Sequence, residues 1–154
     1  MKLFVITGSS GEYSDRNDWN ICACYSEDRA NEILEKIKRL HEYKGQFEKR
    51  VREEFLARYE IDHPYPRIPG VSYNKWGQVR GPERGDKQAQ IKHQRQLGEH
   101  SMLIRAYSNN RHDAEDMWRK ANYIPPFDYE DVKNLHIGSH NQLIDYGIEE
   151  LDIL

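Results

Sequence analysis

One long apolar stripe runs from Ala30 to Tyr59 of this chain. Ala30, Ile33, Leu34, Ile37 and Leu40 recur at helical spacing, and Phe47, Val51, Phe55 and Tyr59 continue the run. Such a pattern predicts a single amphipathic helix over about 27–60, roughly 50 Å long at 1.5 Å per residue. Ser26 is placed to cap it, and Glu27 and Asp28 put negative charge in its first turn. Gly45 is its weak point, where the alternative is a helical hairpin. Pro64, Pro66 and Pro69 end it. A helix of that length outruns any small sheet. Its distal half, with Phe47, Val51 and Phe55, must be covered by later helices or by a second copy. The second option is a homodimer through the 27–60 helix, with a two-fold pair as the default closed form.

Two strands precede the helix. "LFVITG" is a β-branched and aromatic run closed by Gly8, and "WNICACYS" is a second such run. Alternation in the second places Trp19, Ile21, Ala23 and Tyr25 on one face and Cys22 and Cys24 on the other. After the prolines, 62–86 is a glycine-rich, basic connection carrying Tyr73 and Trp76. A second helix is expected over 86–107, with Ala89, His93, Leu97, His100, Leu103, Ile104 and Tyr107 on its inner face. A third is expected over 111–123, with Ala114, Met117, Trp118 and Ala121, and Pro125 and Pro126 follow it. "DYGIEELDIL" reads as a closing strand. The expected class is α+β: a small antiparallel sheet of about three strands, one long helix and two shorter ones, in a single domain over 1–154.

Charge narrows the function. Hydrophobic residues make up 37% of the chain and charged residues 32%, so much of the surface is solvated helix and loop. The net charge of -3 gives no whole-chain case for nucleic acid or membrane. Locally, Arg67, Lys75, Arg80, Arg84, Lys87, Lys92 and Arg95 face only Glu83 and Asp86, whereas the segment from Asp128 onward is strongly acidic. No apolar run approaches the ~18 residues of a membrane span. The opening "MKLFVITGSS" reads as a strand rather than a signal peptide. The two cysteines, Cys22 and Cys24, read as reduced thiols, which fits the cytoplasm.

Each chemical motif has a plainer reading. Cys22, Cys24, His136 and His140 contain metal-ligating types, but C-x-C is a poor spacing for structural zinc, which favours two to four intervening residues. Gly8-Ser9-Ser10-Gly11 resembles a phosphate cradle, yet a P-loop requires a lysine and a following helix, and a strand follows here. A looser anion site from these amides and Arg16 remains the alternative. Glu12, Asp15 and Asp18, or His112 with Asp113, form no nucleophile–base–orienter trio. His93 and His100, seven residues apart, read as hydrogen-bonded core histidines. No catalytic, metal or cofactor site is therefore expected. Tyr73, Lys75, Trp76, Arg80 and Arg84 combine aromatic and cationic side chains. They suit an acidic protein surface or, as the runner-up, a nucleic-acid backbone. Glu12, Tyr13 and Arg16 would be the tip of a preformed loop on rigid strands, a common position for recognition residues.

The stretch from Gly11 to Arg16, then Trp19, then "YSEDRA" opening a helix, resembles the start of a loosely related set of small phage and prophage accessory proteins. The ending "DYGIEELDIL" resembles their short closing strand. The resemblance covers about the first 40 residues and the last ten. It implies a non-enzymatic phage product that binds and inhibits a host or defence-system protein in the bacterial cytoplasm. The alternative is a nucleic-acid or nucleotide binder that uses the basic segment and the Gly8–Gly11 loop.

Overall fold

A computed structural model describes residues 1–11, 15–81, 86–139 and 143–153. It has the expected α+β class. Strands β1 (Lys2–Ser10), β2 (Asn17–Cys24) and β3 (Ile144–Asp152) form an antiparallel sheet in the order β2-β1-β3. The first strand is therefore central, and the last pairs with it from Lys2↔Asp152 to Ser10↔Ile144. The chain divides into two compact units, one of Met1–Arg50 with Tyr123–Leu154, the other of Val51–Asn122.

In the first unit, helix α1 (Glu27–Arg50) packs on one face of the sheet. Ser26 caps it as expected: the Arg29 N–H donates to Ser26 Oγ at 3.4 Å, and the Ala30 N–H to the Ser26 carbonyl at 3.0 Å. Gly45 does not interrupt it. Phe4 and Ile6 of β1 meet Ala30, Ile33, Leu34, Ile37 and Leu40 of α1, and Val132 and Ile137 close the core from the segment before β3. Phe47 is buried against Tyr43 and Tyr123, with ring centroids 6.3 and 5.0 Å away.

The expected alternation in β2 is corrected by a bulge. Ile6 pairs with Cys22 but Thr7 pairs with Asn20, so Ile21 is the extra residue. Cys22 and Cys24 therefore lie opposite Ile6 and Phe4 and pack on the core. Burial pushes the Cys22 thiol pKa up, which keeps it a protonated packing group. Beyond the bulge the phase reverses. Trp19 lies opposite Gly8, on the same side as Cys22, rather than sharing a face with the exposed Ala23 and Tyr25.

In the second unit, residues 51–62 stay helical, as a π-helical stretch (Val51–Leu56) and then α2 (Ala57–Asp62). Residues repeating every fourth position drift by about 40° per step around an α-helix of 3.6 residues per turn. The wider π turn, with its i→i+5 bonding, offsets that drift. Val51 and Tyr59 are buried, and Phe55 packs on Tyr59 and Trp118 at 5.5 and 6.0 Å. Of the distal stripe, Phe47, Val51 and Tyr59 are thus buried within the chain and Phe55 is half-buried.

The helices expected over 86–107 and 111–123 are one helix, α3 (Lys87–Asn122). "SNNRHD" between them holds neither glycine nor proline, so nothing there breaks helical geometry. Asp86 caps α3, its Oδ1 accepting from the Gln88 and Ala89 N–H groups at 3.0 Å. Of the expected inner face, Ala89, His93, His100, Ile104 and Tyr107 are half-buried, but Leu97 and Leu103 are exposed. Among the described residues, no helix is long and apolar enough to cross a membrane.

Candidate functional site

Two surfaces carry the expected binding residues, one in each unit. Glu12, Tyr13, Arg84 and His140 lie outside the described residues.

The first surface is the sheet end below the β1–β2 connection. Gly8 is required by close approach: a Cβ there would sit 2.7 Å from the Trp19 ring. Trp19 is held in turn by its indole N–H, which donates to the His136 carbonyl at 3.0 Å. Gly11 has φ +87°, and a Cβ there would fall 2.3 Å from the Asp15 carbonyl oxygen. Both glycines of the presumptive phosphate cradle therefore have packing and turn roles. Arg16, expected at the exposed recognition tip, is exposed and donates from Nε to Asp18 Oδ1 and Oδ2 at 2.9 and 3.2 Å. That hydrogen bond, then the Asp18 charge, pushes the Arg16 pKa further up. The two residues share a cavity of about 410 Å³ with Asp145 and Glu149. Three carboxylates around one neutralised arginine make this an acidic surface that disfavours anions.

The second surface is a short hairpin in the second unit. Tyr73 and Val79 form an antiparallel bridge. Its base is closed by the Arg80 N–H donating to the Ser72 carbonyl at 2.9 Å. Asn74 organises the tip. Its N–H donates to the Gln78 carbonyl at 2.9 Å, and its carbonyl accepts from the Gly77 N–H at 3.0 Å. Its side-chain Oδ1 accepts from the Trp76 and Gln78 N–H groups at 2.9 and 3.0 Å, and its Nδ2 donates to Gln78 Oε1 at 2.9 Å. An asparagine that bonds its own turn in this way fixes the directions of the residues between. Those residues are Lys75 and Trp76. The indole is 74% exposed, with Lys75 Nζ 4.6 Å from its ring centroid.

Tyr73 stands differently. It is half-buried, its Oη accepts from the Ile68 N–H at 2.7 Å, and its ring lies 5.3 Å from that of His100. It seats the hairpin against α3, and the Arg67 guanidinium carbon lies 5.5 Å from the Tyr73 ring centroid. Arg80 is exposed at the hairpin base, where it lines a cavity with Lys92 and His93 of α3. His93 and His100 are half-buried, but among the described residues His93 Nδ1 and His100 Nε2 find no hydrogen-bond partner, which corrects the reading of both as fully hydrogen-bonded core histidines.

Asn74 and Gln78 were missed by the sequence reading, although "NKWG" between "VSY" and "QV" carries a turn signal in Asn74 and Gly77. The cavity that Lys92 and His93 share with Arg80 had no local signal, because it depends on how the hairpin folds back on α3. Among the described residues, no three histidine, cysteine, aspartate or glutamate side chains converge as a metal site. No family model matches the chain, and no curated protein or solved structure matches it either.

Proposed function

We propose that the chain is a non-enzymatic accessory protein of phage type that docks a host or defence-system protein in the bacterial cytoplasm, with the 72–80 hairpin as its contact element. The observation that carries this reading is Trp76. A large indole held in water costs hydration that a protein recovers by burying it against a partner, and tryptophan is enriched among the residues that dominate interfaces. Its turn is ordered before any partner arrives, so little conformational entropy is lost on docking. Lys75 beside it favours a partner surface with carboxylates around an apolar pocket. The phage origin is supported by the resemblance at both ends of the chain. The nucleic-acid alternative draws less support, because one exposed ring and a few cations offer no continuous stacking platform.

The test is retention of a partner from nuclease-treated bacterial lysate on immobilised protein. Wild type should retain a protein, and Trp76→Ala should lose it with an unchanged melting temperature. Hot-spot truncations cost about 2 kcal/mol or more, roughly a thirtyfold loss of affinity. Retention of nucleic acid alone, abolished by nuclease, would replace this reading with the alternative.

A further inference from the structure

At the base of the hairpin, Arg80, Ser72 and Gly81 face Lys92, His93 and Gln96 of α3 across a cavity of about 360 Å³. Its charge is unlike that of three other cavities lined by described residues. The cavity on the sheet carries Asp18, Asp145 and Glu149, the one beside Trp118 carries Glu54 and Asp62, and the one beside Tyr107 carries Glu60. The described lining of this one has no carboxylate, in a chain whose acidic residues outnumber its basic ones 26 to 23.

Its cations are also unspent. Arg16, Arg29, Lys36, Arg58, Arg95 and Lys133 each pair with a carboxylate. Arg80 and Lys92 have no ion-pair partner among the described residues. His93 lines the same cavity, where a Cβ on Gly81 would lie 3.7 Å from its Nε2. Two cationic residues, a serine, a glutamine and a histidine thus line one cavity.

We propose that this cavity binds the phosphomonoester group of a small molecule. A phosphomonoester presents up to two negative charges and three terminal oxygens. The planar arginine fork can take two of those oxygens, and the lysine supplies a compact second charge. The volume lies at the small end of ligand sites, enough for the phosphate and a sugar-sized remainder. Among the described lining residues, the imidazole is the one ring on which a nucleobase could stack. The site is separate from the docking role given to Trp76 and does not rest on it. A ligand held here would tie the hairpin to α3 from both sides.

Calorimetric titration with ribose 5-phosphate, inorganic phosphate and uncharged ribose tests this. Ribose 5-phosphate should bind saturably and more tightly than inorganic phosphate, and ribose should not bind. Arg80→Glu and Lys92→Glu should each weaken the binding tenfold or more, and Arg80→Lys should weaken it less. Trp76→Ala should leave it unchanged, which separates this site from the docking surface. The amide resonances of Ser72, Gly81 and Gln96 should shift on titration while those of α1 stay in place. Absence of saturable binding in the millimolar range would overturn the proposal. So would equal affinity for inorganic phosphate, or binding indifferent to both charge reversals in variants with wild-type circular dichroism.

Discussion

The two units reach order by different means. In the first, aliphatic side chains interlock out of water: Ile6, Ile37 and Val132 are each 0% exposed. In the second, α3 contributes no fully buried residue along its whole length. Its inner face meets the preceding segment through rings instead. Tyr59 lies 6.0 Å from Tyr107, Tyr65 lies 5.7 Å from Tyr107, and Tyr73 lies 5.3 Å from His100. Ring contacts of this kind hold geometry while leaving one edge wet. The comparison separates two tasks. The first unit is held by an ordinary hydrophobic core, and the second presents half-covered aromatic and polar surface.

The two units should differ most under truncation. Ile37→Ala leaves a cavity in a close-packed site and should cost about 2–5 kcal/mol. Tyr107→Ala removes two ring contacts worth about 0.5–1.5 kcal/mol each from a ring already half in solvent, so about 1–3 kcal/mol is expected. Chemical denaturation of both variants checks the order. Hydrogen exchange on the wild type provides a second reading: amides of β1 and α1 should be protected longer than those of α3. Equal costs, or slower exchange in α3, would mean that the ring-packed unit is as firmly held as the aliphatic one.

A second contrast comes from alkaline pH. Tyr146 donates to the Ile137 carbonyl at 2.7 Å and lies 2.9 Å from His41 Nδ1. Burial raises its pKa from the ordinary value of 10 to about 12. Tyr123, packed against Tyr43 and Phe47, is likewise pushed up to about 12, mainly by burial. Both belong to the first unit. A folded-state pKa above the unfolded value means that the native state holds its proton more tightly. The resulting stability is complete below pH 10 and is lost as pH rises from 10 towards 12. First-unit stability should therefore fall across that window, and at least two of the chain's ten tyrosines should ionise late by ultraviolet absorbance. Tyr146→Phe should make the fall shallower. Constant stability of the first unit from pH 10 to 12 would contradict the burial of these phenols.

What the sequence disclosed follows the same division. The helix of the first unit was legible because Ala30, Ile33, Leu34, Ile37 and Leu40 repeat with helical period, and β1 because its run is short and β-branched. The faces of β2 were not, since a bulge at Ile21 reverses alternation and depends on which strand pairs with it. Val132 and Ile137 were missed because they sit in an irregular segment, where burial leaves no period. In the second unit, Trp76 and its cationic neighbours stood out by composition. The turn held by Asn74 was only partly signalled, and the cavity shared by Arg80 and Lys92 arises from tertiary placement alone.

The smallest expected effect tests how that irregular segment is held in the first unit. Asp131, next to Val132, accepts from Arg29 Nη2 at 2.8 Å and from Lys36 Nζ at 3.1 Å. Glu32 pairs with the same two cations at 2.7 and 3.2 Å. Partial burial opposes ionisation of Asp131, but the hydrogen bond and charge of Lys36, with help from Arg29, hold its pKa below the usual carboxylate range. A lowered folded-state pKa contributes stability above the unfolded value of 3.8 and loses it as the carboxylate is protonated below that. These charges lie near solvent, where salt screens them and such pairs contribute little. If Val132 and Ile137 supply the attachment and the charges only set its register, Asp131→Asn should lower the melting temperature by a few degrees at most at low salt. The difference should vanish at high salt. Val132→Ala should cost far more and respond little to salt, because apolar burial is not screened. A salt-independent loss in Asp131→Asn as large as that of Val132→Ala would assign the attachment to the ion pairs, and the first unit would then owe less to its aliphatic core than the comparison holds.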